Sequence, residues 1–261
     1  MLIVFTAFCL GLILGSFLNV CIARLPKGES VMWPASRCPK CLEPIKAYDN
    51  VPLVSFLLLG GRCRACGEPI SVKYPVVELA TGLLTALFTA RWWGDPVWLA
   101  VCLLAVYALI IVSVVDFETM MISDFFSLLL FVLGAAGSYF NPNFEGGWGE
   151  RLAQSGMGAA AGAGFIWALA LLGKKIYKKD AVGEGDIFLM GGIGALCGWQ
   201  GVFSGIIMAS FFGSVYGVSL VLLKRADRMS HMPFGPFLAL GAVINLYWLV
   251  KPETFFFALP F

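Results

Sequence analysis

Apolar runs long enough to cross a bilayer recur along the whole chain, and they constrain its fold more than any other feature. A spanning helix needs roughly 20 mostly apolar residues. Only 13% of the 261 residues are charged, whereas a soluble domain carries about 25%. The sequence therefore predicts an all-α polytopic membrane protein. We identify eight candidate transmembrane helices, at residues 2–22, 76–91, 96–115, 124–140, 152–173, 186–199, 201–223 and 234–250.

Three segments need separate comment. Residues 186–199 are short and rich in glycine, so this helix is predicted to be tilted or partly unwound. Residues 51–59 are apolar but too short to span. They form either the core of a small polar module or an interfacial segment. The N-terminus lacks a basic region and a small-residue cleavage site, so we expect the first apolar helix to be retained. We identify no internal repeat.

The distribution of Lys and Arg predicts the orientation of these helices, because basic residues accumulate in cytoplasmic loops. Fifteen of the 18 basic residues lie in three loops, near residues 23–74, 174–185 and 224–233. The other three are Arg91, Arg151 and Lys251. If eight helices alternate, both termini lie outside and the 23–74 segment lies in the cytoplasm. The turns at residues 116–123 and 180–186 then also face the cytoplasm.

Two acidic residues at helix ends are the candidate catalytic groups. Asp116 ends a long apolar run, and Asp186 follows Gly183-Glu-Gly. Acidic residues at membrane depth are costly and usually functional. Two adjacent carboxyl groups do not both ionise readily, so one can accept a proton while the other donates one. The pair is typical of an aspartyl protease, although each residue alone could be a solvated helix end, and Asp124 competes with Asp116.

Two C-x2-C pairs, separated by 21 residues, predict a metal site. Four thiolates at this spacing suit tetrahedral zinc and leave no open position for water, so the metal is expected to be structural. A reducing cytoplasm disfavours disulfides. We interpret Cys9, Cys21, Cys102 and Cys197, which lie in apolar helices, as packing residues. The predicted zinc ligands are Cys38, Cys41, Cys63 and Cys66.

These motifs together resemble the type IV prepilin peptidase family, also called prepilin leader peptidase/N-methyltransferase. The resemblance covers nearly the whole chain. It rests on the segments at residues 15–26, 74–82, 116–124, 183–186 and 233–241, together with the two cysteine pairs. In the family pattern the catalytic aspartates match Asp116 and Asp186, and the metal cysteines match the four named above.

The resemblance implies a bifunctional enzyme of the bacterial inner membrane. It would cleave the leader peptide of type IV prepilins or type II secretion pseudopilins after a glycine. It would then methylate the new N-terminal residue with S-adenosylmethionine. Membrane lipid is a further expected partner, and no nucleic acid is expected. The implied organisation is a first transmembrane helix at 1–22, a cytoplasmic zinc-binding and methyltransferase-associated loop at 23–74, and a peptidase core at 75–261.

The binding site for the methyl donor is the least visible part of the sequence. No glycine-rich nucleotide fingerprint follows a strand, so S-adenosylmethionine is implied by the resemblance alone. The candidate binding residues are Asn19, Arg24, Gly61 and Glu78, although each also has an ordinary structural interpretation.

Two positions depart from the family pattern, and three other functions stay open. Ser123 replaces a usual proline, and Phe188 replaces a usual lysine, so we expect an altered rate or substrate range. One alternative is a peptidase without methylase activity. Another is a proton-coupled transporter that uses Asp116 and Asp186 as a relay. A third is a zinc-binding scaffold that only recruits partners.

Overall fold

The computed structural model describes residues 1–178, 183–224 and 232–251, and over these ranges every regular element is helical. This confirms the predicted all-α class. Lys179, Arg225 and Arg228, which enter the charge count, lie outside the described residues. The α-helices are α1 Leu2–Arg24, α2 Val54–Leu58, α3 Lys73–Trp92, α4 Pro96–Thr119, α5 Asp124–Gly137, α6 Trp148–Tyr177, α7 Glu184–Leu222 and α8 Gly235–Tyr247.

Four of these helices are long and apolar enough to cross a bilayer: α1, α4, α6 and α7. The helices α5 and α8 are apolar but shorter. Large apolar side chains such as Leu10, Phe131 and Phe211 are exposed on the outer surfaces of the helices. In a soluble protein such apolar surface would promote association, whereas in a bilayer it meets lipid. The chain is a multi-pass membrane protein.

The chain divides into two compact units, one comprising Met1–Gly94 and the other beginning at Asp95. In the first unit, α1 packs against α3 through glycine. A Cβ at Gly11 would lie 2.6 Å from the Thr85 hydroxyl oxygen, and one at Gly15 would lie 2.7 Å from the Cα of Glu78. Small residues of this kind allow helix backbones to approach closely in membranes. This contact fixes Glu78 beside α1.

The second unit is built around α7, which packs against α5, α6 and α8. Its contact with α6 is again glycine-mediated, because a Cβ at Gly158 would overlap the Gly194 carbonyl. The two helices predicted at 186–199 and 201–223 are both present, and they meet at a kink at Gly198 within the segment labelled α7. The φ of Gly198 is +69°, a left-handed conformation that glycine adopts at little cost. The expected irregularity is therefore a local break.

Candidate active site and candidate metal centre

Asp116 lies one turn before the end of α4, where its side chain is buried with 4% of its surface exposed. The backbone N–H of Gly235 donates a hydrogen bond of 3.0 Å to its Oδ2. Gly235 is the first residue of α8, and Pro236 follows it. Because the first N–H groups of a helix have no partner within the helix, they are available to a carboxylate. The start of α8 thus fixes one oxygen of Asp116.

Asp186 lies in the first turn of α7 and is 8% exposed. Its backbone N–H donates to the Gly183 carbonyl at 3.2 Å, which begins the helix. A Cβ at Gly183 would lie 3.3 Å from Asp186 Oδ2, so a glycine leaves room beside the carboxyl. The other oxygen, Oδ1, is buried without a hydrogen-bond partner among the described residues.

Ile122 connects the surroundings of the two aspartates. A Cβ at Gly185 would lie 2.9 Å from Ile122 Cβ, and one at Gly235 would lie 3.1 Å from Ile122 Cδ1. Gly185 precedes Asp186 in the chain, and Gly235 binds Asp116. The structure therefore brings Asp116 and Asp186 together, although about 70 residues separate them in the sequence.

The competing acid and the two unusual residues have different surroundings. Asp124 is exposed at the start of α5, unlike the buried pair. Ser123 precedes it in an extended conformation, and its carbonyl accepts the Phe126 N–H at 3.1 Å. Phe188 is 59% exposed on α7. Burial thus separates Asp116 and Asp186 from the third candidate acid.

An aromatic cluster beside Asp116 was missed by the sequence analysis. The ring centroids of Phe117 and Tyr216 are 5.9 Å apart, and those of Phe117 and Phe237 are 6.2 Å apart. Tyr216 and Phe237 complete the triangle at 5.6 Å. These contacts join the end of α4 to α7 and to the first turn of α8. In the sequence, Phe117 is next to Asp116 and Phe237 is near Gly235. No sequence pattern indicated that these two rings would be in contact.

The four predicted zinc ligands are brought together in the first unit. Their sulfur atoms all lie within 4.8 Å of one another, and the Cys38 and Cys66 sulfurs are 3.9 Å apart. Tetrahedral zinc with Zn–S bonds of about 2.3 Å places its ligands about 3.8 Å apart. The backbone N–H groups of Cys41 and Lys40 lower the pKa of the Cys38 thiol to about 7. The site could hold zinc.

The two cysteine hairpins repeat each other, so the sequence interpretation that no internal repeat exists was wrong. Residues 37–45 and 62–70 share the pattern Arg-Cys-x-x-Cys-x-Glu-Pro-Ile at an offset of 25 residues. Cys38 N–H donates to Glu43 O at 3.0 Å, and Cys63 N–H donates to Glu68 O at 2.8 Å. Arg37 with Pro44, and Arg62 with Pro69, form equivalent antiparallel bridges. The repeat is carried by the flanking Arg, Glu, Pro and Ile residues as well as by the cysteines.

Ion pairs support the second hairpin. The Arg64 guanidinium binds Asp49 at 2.6 Å, and Lys40 binds Glu68 at 3.4 Å. The hydrogen bonds from Arg64 hold the pKa of Asp49 below its usual value. The Arg64–Asp49 ion pair ties the second hairpin to the turn that follows the first hairpin. An ion pair therefore joins the two halves of the cysteine module, in addition to the clustered cysteines.

The four candidate residues for the methyl donor all have structural contacts. Asn19 Nδ2 donates to the Tyr74 carbonyl at 3.1 Å, and its Oδ1 is buried without a partner in the described part of the chain. Arg24 donates to the Ser30 and Pro34 carbonyls. Gly61 has a φ of +68°, as its turn requires. Glu78 accepts the Leu53 N–H at 2.9 Å. None of these contacts tests a cofactor role.

The fold and the buried acids define a class of protein: a multi-pass membrane protein with paired carboxyl groups inside its second unit. Comparisons with known proteins identify the family. Residues 9–92 match the bacterial peptidase A24 N-terminal domain, and residues 102–218 match the type IV leader peptidase family. The chain belongs to this family of aspartic proteases.

The similarity to individual relatives extends over most of the chain. The prepilin leader peptidase/N-methyltransferase of Aeromonas hydrophila is 35% identical over 92% of this chain and 89% of its own length. That of Pseudomonas aeruginosa is 34% identical over 92% of this chain and 88% of its own length. That of Pectobacterium carotovorum is 34% identical over 91% of this chain and 90% of its own length. No solved structure shows a significant match.

Proposed function

We propose that this protein cleaves the leader peptide from type IV prepilins or type II secretion pseudopilins and then methylates the new N-terminus. The observation that carries the peptidase assignment is the geometry of the buried pair. The Gly235 N–H holds one oxygen of Asp116, whereas Asp186 Oδ1 is buried with no hydrogen-bond partner among the described residues. Family membership supports both activities.

The proposed reaction is hydrolysis of a peptide bond by the two carboxyl groups acting as a unit. The ionised carboxylate takes a proton from water while the protonated partner donates one to the scissile carbonyl oxygen. The water oxygen bonds to the carbonyl carbon, the C–N bond then breaks, and the leaving nitrogen receives a proton. Gly183 keeps the region next to Asp186 Oδ2 free of a side chain, whereas Gly185 packs closely against Ile122.

The location of the pair suits a substrate that is itself partly in the membrane. Asp116 and Asp186 lie in end turns of the candidate spans α4 and α7. The excess of Lys and Arg in the predicted inner loops favours the cytoplasmic face of the bacterial inner membrane. A prepilin with a basic leader and an apolar helix could be cut there without leaving the bilayer.

A zinc ion held by Cys38, Cys41, Cys63 and Cys66 would have a structural role. Four thiolates complete a tetrahedral shell and leave no site for a reacting water. The two hairpins contain few buried apolar side chains, so metal binding would contribute much of their folding free energy. Zinc is thus proposed to stabilise the module that follows α1.

The methyl donor is proposed to be S-adenosylmethionine, bound in the first unit. The relatives named above are N-methyltransferases by name, which supports the cofactor but not its position. Asn19 and Glu78 are buried at the packing of α1 against α3, and Asn19 Oδ1 has a free acceptor within the described ranges. Arg24 and Gly61 remain candidates on the adjoining loop.

Asparagine substitutions test the peptidase. We expect Asp116→Asn and Asp186→Asn each to abolish cleavage of a synthetic prepilin, because an amide cannot exchange the required proton. The measurement is single-turnover cleavage in proteoliposomes, with helix content checked by circular dichroism. Asp124→Asn is the matched control, since Asp124 is exposed, and should retain wild-type cleavage. Cleavage by both buried-site variants would show that the pair is not the catalytic machinery.

Mass spectrometry of the processed pilin tests the second activity. With S-adenosylmethionine present, we expect the new N-terminus to gain the mass of one methyl group. Asn19→Ala and Glu78→Gln should reduce this mass shift while cleavage continues, because the two catalytic aspartates lie in the other unit. An unmethylated product from the wild-type enzyme would leave a peptidase alone and would reject the methyltransferase proposal.

A further inference from the structure

The short apolar segment at residues 51–59 contains a helix whose largest apolar side chains are exposed. Its helix, α2, exposes 50% of Val54, 75% of Leu57 and 81% of Leu58. Ser55 is its one buried residue, and its hydroxyl donates to the Tyr48 carbonyl at 3.0 Å. The packing thus buries a polar residue and leaves Leu57 and Leu58 outside. Within the described residues these side chains form an uncovered apolar face, as the interfacial interpretation of the segment expects.

The start of α2 is held at membrane depth. Leu53 N–H donates to Glu78 Oε2 at 2.9 Å, and the Ser16 hydroxyl is hydrogen-bonded to the same carboxyl. At 1.5 Å per residue, Ser16 lies about 12 Å inside the end of α1 at Arg24. The headgroup layer of a bilayer is only about 5–8 Å thick on each side. Because α1 is a candidate span, Leu53 is held close to the hydrocarbon boundary.

A cavity on the outer side of α1 gives a second, independent observation. The residues before α2, Asn50 to Pro52, lie across a cavity of about 390 Å³ from Ile13, Phe17 and Val20. Ile13 is 60% exposed and Phe17 is 49% exposed. The opposite side of α1, with Gly11 and Gly15, is packed against α3. The segment therefore runs along the exposed side of α1, away from α3.

The charge of the surrounding loop is complementary to anionic lipid. Residues 23–74 contain eight Lys or Arg and four acidic residues. Two of those acids, Asp49 and Glu68, are already paired with Arg64 and Lys40. Basic clusters next to a membrane helix are attracted to the negative surface of anionic lipids. The same loop thus combines an exposed apolar helix with an excess of positive charge.

We propose that α2 is an interfacial anchor whose partner is an anionic phospholipid bilayer. Leu57 and Leu58 enter the boundary between headgroups and acyl chains, the basic residues of the loop contact the headgroups, and α2 tethers the cysteine hairpins, which themselves stay outside the acyl chains. Short apolar segments with basic flanks bind membranes in this manner. The anchor depends on the packing of the first unit and not on the proposed reaction, so the two can fail separately.

Site-specific photocrosslinking tests the anchor directly. A photoreactive p-benzoylphenylalanine is placed at Leu57, at Leu58 or at Leu42, and each full-length variant is reconstituted in nanodiscs that contain phosphatidylglycerol. Leu42 is the matched control, because it is an apolar residue of the first cysteine hairpin that is 62% exposed. After irradiation, mass spectrometry identifies the adducts. We expect phospholipid adducts at positions 57 and 58 and several-fold fewer at position 42.

Other outcomes would overturn the proposal. Crosslinks from positions 57 and 58 to a second copy of the chain would assign this face to an oligomer interface. Equal lipid labelling at position 42 would show that α2 is not a specific anchor. Absence of lipid adducts at positions 57 and 58, in a variant that elutes as a single species with wild-type helix content, would also reject it.

Proteolysis supplies a second readout that does not depend on the photoreactive group. The double variant Leu57→Gln/Leu58→Gln should release the hairpins from the bilayer, so trypsin should cut at the exposed Arg62 and Arg64 several-fold faster in nanodiscs. In detergent, where no bilayer surface exists, the variant and the wild type should be cut at similar rates. Leu42→Gln is the control. An unchanged rate for the double variant in nanodiscs would contradict the anchor.

Discussion

Among the described residues, the backbone N–H of Gly235 fixes the Asp116 carboxyl. Its N–H donates to Oδ2 at 3.0 Å, across a separation of 119 residues in the chain. A Cβ at this position would lie 2.8 Å from the same oxygen and 3.1 Å from Ile122 Cδ1. Both distances are shorter than normal van der Waals contacts, so one methyl group would displace the carboxyl. The position therefore tests the geometry of the pair without altering either acid.

We expect Gly235→Ala to lower the rate of prepilin cleavage strongly while the protein remains folded. The reason is that small displacements of reacting groups cost orders of magnitude in rate, about 100-fold for 1 Å. The change should appear in kcat more than in KM, measured in proteoliposomes. Gly164→Ala is the control, because a Cβ there meets open space. Wild-type kcat for Gly235→Ala would contradict the role assigned to this contact.

The break in α7 depends on side chains from two other segments. Ser155 Oγ donates to the Ala195 carbonyl, and Asn141 Nδ2 donates to the Leu196 carbonyl, both at 2.8 Å. These carbonyls lie just before Gly198, where the helical hydrogen-bond pattern is interrupted. Glycine content predicted an irregular helix here. The donors could not be predicted, because both come from segments more than 35 residues away in the sequence.

We expect Ser155→Ala to destabilise the protein by about 1 kcal/mol, because the Ala195 carbonyl loses its donor in a buried position. Thermal unfolding followed by circular dichroism in detergent would measure the change. Ser113→Ala is the control, since the Ser113 hydroxyl bonds only within its own helix, to the Leu109 carbonyl. If the two variants melt at the same temperature, the side chain does not stabilise the break.

At the scale of the whole molecule, the sequence predicted the helices and the cysteine cluster better than it predicted tertiary contacts between distant residues. Apolar length predicted the helices, and cysteine spacing predicted a cluster that the structure brings within 4.8 Å. The apolar segment at 51–59 stayed ambiguous because hydropathy does not distinguish a module core from a membrane-facing helix. In the structure Leu57 and Leu58 are exposed, so these two side chains do not belong to a core of the cysteine module. The Asp116–Gly235 bond and the aromatic cluster required tertiary packing and had no local signal.

The two compact units keep their functional groups separate. All four clustered cysteines precede Gly94, and both buried aspartates follow Asp95. If zinc only stabilises the cysteine hairpins, its loss should disturb the first unit and leave the second intact. We therefore expect the wild type to carry the proposed zinc and Cys63→Ser to lose it, measured by elemental analysis of the purified protein. A serine hydroxyl replaces the thiolate poorly, because zinc in such sites is bound by sulfur.

Hydrogen exchange followed by mass spectrometry would locate the effect. Exchange should rise across residues 37–70 in Cys63→Ser, because the hairpins open without their metal. It should remain at wild-type levels in α4 and α7, which carry Asp116 and Asp186. Cys9→Ser is the matched control, since Cys9 is outside the cluster and should leave both zinc content and exchange unchanged. Increased exchange throughout α4 and α7 would show instead that the metal stabilises the entire chain.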